Sequence, residues 1–115
     1  MHAELTEIAA VPGVRAVMVF AADGRLVAAV PAKPPAGAAG GAEWTNLIRL
    51  LEGVREADLV FAAGRVIVRR GDGFTLAVLA QNDVASAVIR LHCDIILPRL
   101  ALGKPARGLK RFFRR

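Results

Sequence analysis

Apolar and polar positions change their period several times along this chain, and each change marks an element. Leu5 and Ile8, spaced for one helical face, precede Val11-Pro12-Gly13-Val14. They predict a first helix over roughly residues 2–11, stopped where proline cannot continue it and glycine lets the backbone turn. Two β-rich runs follow, ending at Phe20 and Val30 and joined at Asp23-Gly24. Asp-Gly suits a type I′ hairpin turn, because both central positions of that turn take positive φ. The stretch Ala32-Lys33-Pro34-Pro35-Ala36-Gly37 with Gly40-Gly41 reads as a loop. Trp44, Leu47, Ile48, Leu51 and Val54 then return to helical spacing, with Glu43, Arg49, Glu52 and Arg55 facing away. That stripe predicts a second helix over roughly 42–56.

Three strands are expected over roughly 58–63, 65–70 and 74–80, separated by turn residues at Gly64 and at Gly71-Asp72-Gly73. Connections this short force neighbouring antiparallel strands. A third helix is expected from Asn82 or Asp83, either able to cap it, to about Leu97, with Pro98 bending or ending it. Its apolar residues Val84, Val88, Ile89, Leu91, Ile95 and Ile96 go most of the way round, a pattern of burial on more than one side. The strands alternate poorly. Val14, Ala16, Met18 and Phe20 oppose Val17 and Val19, while Phe74, Leu76 and Val78 oppose Ala77 and Leu79. Both faces of the sheet are therefore expected to be covered. The order α-β-β-α-β-β-β-α then gives an α/β (α+β) sandwich: a five-stranded antiparallel sheet with one helix on one face and two on the other.

Charge divides the chain in two. Residues 1–103 hold ten basic and ten acidic side chains, whereas residues 104–115 hold six basic ones and no acid. We read 1–103 as one domain and 104–115 as a basic tail. A single cysteine, Cys93, among 115 residues excludes an internal disulfide and fits a reducing compartment. The first ten residues lack the cations of a secretory signal, and Arg90, Asp94 and Arg99 interrupt the most apolar segment. A cytoplasmic protein is the expectation.

With these elements in order, the chain resembles the roadblock family, relatives of a dynein light chain. The resemblance is carried by Leu5-x-x-Ile8 before Val11-Pro12-Gly13-Val14 and by Asp23-Gly24. It continues through Gly64-Arg65-Val66-Ile67-Val68, Gly73-Phe74-Thr75-Leu76-Ala77-Val78-Leu79 and the ending Leu97-Pro98-Arg99-Leu100. Two departures stand out: a short second helix behind a Pro/Ala/Gly-rich stretch, and the tail. The resemblance implies a homo- or heterodimer with two sheets joined edge to edge. It also implies a role in scaffolding or regulating a small Ras-like GTPase or a motor assembly.

The residues themselves bear on the dimer. The outer strand of the expected meander, Asp58-Leu59-Val60-Phe61-Ala62-Ala63, is apolar and lacks the Lys or Pro that usually guards an exposed edge. The opposite edge, Arg25 to Val30, is short and ends against Pro31. An unguarded rim suggests pairing with a second copy about a two-fold axis; cover by a loop of the same chain is the alternative. Trp44, Ile48 and Leu51 on the second helix join this expected interface, Trp44 doubling as a core residue.

Candidate catalytic chemistry is sparse. Ser86 has no histidine at useful spacing, and no phosphate-binding Gly-rich motif exists. His92, Cys93 and Asp94 are consecutive, but helical neighbours point about 100° apart and cannot close on one ion. We expect Cys93 to be core, His92 half exposed and Arg90 paired with Asp94. Glu52, Glu56 and Asp58 read as a solvated helix end. No catalytic, cofactor or metal residues are assigned. The tail sets Leu109 against Phe112 and Phe113 among Lys104, Arg107, Lys110, Arg111, Arg114 and Arg115, a small basic amphipathic segment. It suits an anionic membrane surface or an acidic partner, and equally an apolar fold-back onto the domain. The neutral body offers no basic groove, so nucleic acid is not expected.

Overall fold

The computed structural model describes residues 2–33, 43–62 and 64–103. The tail residues Lys104, Arg107, Lys110, Arg111, Phe112, Phe113, Arg114 and Arg115 therefore lie outside the described residues, as does Ala63. In chain order the elements are α1 (His2–Ala9), β1 (Val14–Ala21), β2 (Leu26–Val30), α2 (Glu43–Leu50), β3 (Glu56–Phe61), β4 (Gly64–Arg70), β5 (Phe74–Ala80) and α3 (Ser86–Gly103). The strands form one antiparallel sheet in the order β2-β1-β5-β4-β3. This is the expected sandwich, with β2 and β3 at its edges.

Both faces are covered. Leu5 and Ile8 of α1 and Ile89, Cys93, Ile96 and Leu100 of α3 pack on Val17, Val19, Ile67, Phe74, Leu76 and Val78. On the other face Trp44 and Ile48 of α2 pack on Ala16, Met18, Phe20, Val66, Val68, Ala77 and Leu79. Every residue of β5 is buried, as befits a central strand apolar on both sides. Val14 was expected to face the same way as Ala16, yet it packs on the α1/α3 side. A register shift between Val14 and Ala16 explains it, since one extra residue turns the strand over.

Local chemistry sets several boundaries away from the sequence expectation. At the first hairpin only Gly24 has positive φ, at 90°, and Gly24 N–H donates to Ala21 O at 2.9 Å. With Asp23 on the ordinary side of φ, this is a type I turn followed by a left-handed glycine rather than type I′. Asp23 instead accepts the Arg25 N–H at 3.0 Å. The second helix ends at Leu50, six residues early. The next N–H groups bond three residues back (Glu52 to Arg49 O, Val54 to Leu51 O), and Gly53 has φ 86°. That early end starts β3 at Glu56 and ends it at Phe61, leaving Ala62 in the turn.

The third helix starts at Ser86, not at Asn82 or Asp83. Asn82 donates its side-chain amide to Phe61 O at 3.0 Å, and the Arg65 guanidinium donates to Val84 O at 2.8 Å. Those bonds hold the segment before Ser86 in turns. The helix also runs through Pro98 to Gly103. Pro98 stands exposed inside it and removes one backbone donor without ending the helix.

Candidate interaction surface

The surface is built on β3. Its register with β4 runs from Glu56 opposite Arg69 to Phe61 opposite Gly64, and no described strand lies on its far side. Alternation along β3 separates two kinds of side chain. Ala57, Leu59 and Phe61 lean, half-buried, toward the α2 core, beside Leu47 and Leu51. Glu56, Asp58 and Val60 point to the α3 side and are exposed, Val60 by 64%.

On the α3 side arginines tie this edge to the body. Arg65 Nε lies 3.0 Å from Asp58 Oδ1, a charge contact without an aligned hydrogen bond. Arg69 spans Glu56 at 3.9 Å and Asp94 at 2.7 Å, and Arg90 reaches Glu56 at 2.6 Å. The expected Arg90–Asp94 pair is thus replaced. Each residue finds a partner on the strands beneath the helix. Glu52, Glu56 and Asp58 do not form one carboxylate cluster, since Glu56 and Asp58 stand on β3 and pair with arginines.

On the α2 side Arg70 is the key contact that sequence reasoning missed. Its Nε donates to Val54 O at 3.1 Å and its Nη2 to Leu51 O at 3.0 Å, while its backbone N–H donates to Arg55 O at 2.8 Å. Arg70 therefore adds donors to the Leu51 and Val54 carbonyls just past the end of α2 and fixes that segment against the sheet edge. A double arginine at a strand end reads as solvated, so no signal in the sequence distinguishes this role. Arg65 and Arg69 did carry one: they flank Ile67 on one face of β4, with Arg69 directly opposite Glu56 and Arg65 diagonal to Asp58.

The residues expected at an interface fall into three groups. Trp44 and Ile48 are buried in the chain's own core, at 5% and 4% exposure. Leu51, Leu59 and Phe61 are half-buried along the rim, and Asp58, Val60 and Ala62 are exposed. Leu50 is 81% exposed at the end of α2. The side chains of residues 92–94 diverge: His92 Nδ1 meets Val88 O at 2.9 Å, Cys93 is buried, and Asp94 pairs with Arg69 of β4. Burial pushes the Cys93 thiol up to about 11, against a smaller opposing effect of Arg69. Such a thiol is a core residue with little nucleophilic character. Among the described residues, no group of three His, Cys, Asp or Glu side chains is placed to hold a metal, and no helix is long and apolar enough to cross a membrane.

No protein-family model and no curated protein matches the chain. Solved structures do. A Roadblock/LC7 domain from Streptomyces avermitilis superposes with a TM-score of 0.68 at 16% identity, over 88% of this chain and 94% of that one. The gliding protein MglB from Thermus thermophilus gives 0.60 at 15% identity, over 83% and 81%. An MglB described with a tetrameric arrangement gives 0.65 at 15% identity, over 87% and 84%. Likeness at such identities speaks for architecture, and it agrees with the element order read from the sequence: the chain has the roadblock/LC7 fold.

Proposed function

We propose that this chain is a non-catalytic scaffold that pairs with a second copy through β3 and presents the joined α2 sides to a partner protein. The observation that carries the reading is the rim itself. An edge strand without a neighbour among the described strands carries half-buried Leu59 and Phe61, with Leu47 of α2 and Leu51 just after it alongside. Antiparallel pairing of two such edges gives a two-fold axis perpendicular to the sheet. Both α2 helices then stand on the same side and together cover the apolar rim.

The partner we infer is a small Ras-like GTPase or an assembly under its control. The resemblance read from the sequence supports this class, and the fold shared with gliding-protein MglB is compatible with it. The chain would act on a nucleotide held by its partner, since it has no phosphate-binding loop of its own.

Light scattering should give twice the chain's 12.2 kDa. Val60→Glu, which sets a carboxylate at an exposed rim position near Glu56 and Asp58, should return it to one. Capture of a Ras-like GTPase should depend on the bound nucleotide and be lost with the dimer. A wild-type chain that stays monomeric at high concentration contradicts the proposal.

A further inference from the structure

The third helix is apolar on two sides, and among the described residues one of them is uncovered. Ile89, Cys93, Ile96 and Leu100 are buried against the sheet and α1. On the outward side Val88, Leu91 and Ile95 are 43%, 59% and 54% exposed, with exposed Pro98 continuing the row. Sequence periodicity predicts burial on more than one side; within the described residues only the inner side is covered. The charges flanking the row are neutralised in pairs. Asp94 meets Arg69 and Glu56 meets Arg90 on one flank, and Arg99 meets Glu7 at 3.1 Å on the other.

We infer that the outward face of α3 is a seat for an anionic phospholipid surface. A helix anchored by its buried side presents this exposed aliphatic row as a ridge, the apolar element that lies in a bilayer interface. Reversible surface binding is weak with one signal and stable with two, an apolar element and a polybasic segment. The second signal follows α3 directly in the chain: residues 104–115 carry six cations and no acid. Their sign selects anionic lipid, to which each contributes attraction that salt screens. The seat does not require the dimer. If the dimer of the proposed function forms, its axis puts both α3 ridges on the side opposite α2, so lipid and protein partner would not compete.

The test is sedimentation of the full chain with phosphatidylcholine vesicles, with and without phosphatidylglycerol. Three proteins are compared: wild type, Leu91→Ser/Ile95→Ser, and a chain ending at Gly103. Both serines replace exposed side chains, and circular dichroism checks that the fold is kept. Wild type should bind the anionic vesicles and leave the neutral ones. The double serine variant should bind about tenfold more weakly with its oligomeric mass unchanged, and the shortened chain should lose the salt dependence. Undiminished binding by the double variant would mean that the basic segment acts alone, and would overturn the seat. So would failure of wild type to bind, or a fall in oligomeric mass on serine substitution, which would make the ridge a contact between copies. Light scattering on the same samples reports separately on the dimer.

Discussion

The two faces of the sheet are covered to different depths. On one, an 18-residue helix and α1 close over a continuous interior in which Leu5, Ile8, Ile89 and Cys93 show no exposure. On the other, α2 has 8 residues, and its cover thins toward β3, where Leu47, Leu51, Leu59 and Phe61 remain half-buried. The difference underlies the proposed pairing. A finished face supplies stability to one chain, while an unfinished face beside an open edge has something left to gain from a second chain. Interfaces between obligate partners resemble a core cut in half, and the α2 side has that character at its rim.

The largest expected effect lies on the finished face. Ile96→Ala should destabilise the chain by about 2–5 kcal/mol, the range for emptying a well-packed site. The loss, read by urea unfolding, should not change with protein concentration. Leu59→Ala on the unfinished face should do the reverse: it should shift the monomer little and weaken self-association, so its effect should fade on dilution. Equal, concentration-independent losses at the two positions would erase the distinction.

Cys93 offers a pH test of the same closed interior. Its thiol is raised to about 11 in the folded chain by burial, above the ordinary value of 9.0. Between those values the unfolded chain gives up the proton and the folded chain keeps it. Stability should therefore be unaffected by this group below pH 9 and fall as pH rises toward 11, by about 2–3 kcal/mol at the end of the range. Comparing alkaline unfolding of wild type with Cys93→Ala isolates this contribution. A parallel decline in both proteins would show that the thiol has no part in it.

Arg70→Met keeps much of the aliphatic stem and removes the donors to Leu51 O and Val54 O. We expect a loss of about 1–2 kcal/mol, together with faster amide exchange in residues 51–55, where α2 meets the rim. The smallest effect belongs to the half-exposed pair Arg99–Glu7: Arg99→Ala should change stability by less than about 1 kcal/mol, and less still in high salt.

The sequence read well wherever a pattern was repeated and poorly wherever one bond decided. The element order, the covered faces and the two edge strands followed from apolar periodicity and turn residues. The start of α3 did not, because Asn82 had capping chemistry but gave its amide to Phe61, a residue made close only by the β3–β4 hairpin. Asp23-Gly24 was recognised as a turn, yet its type depended on whether Asp23 also took positive φ, and composition cannot tell. At the candidate surface, Leu59 and Phe61 were legible as an unguarded edge. Trp44 and Ile48 share the helical stripe of Leu51, and only packing separates those two core residues from the rim. Arg70 was the least legible, since its side-chain acceptors lie in the turn after α2.

The most direct test of the open edge is hydrogen exchange across the β3 amides of Glu56–Phe61, measured against those of β2 at several protein concentrations. If β3 joins a second copy, its protection should rise steeply with concentration while β2 stays constant. Exchange in β3 as fast as in β2, and insensitive to concentration, would contradict the account.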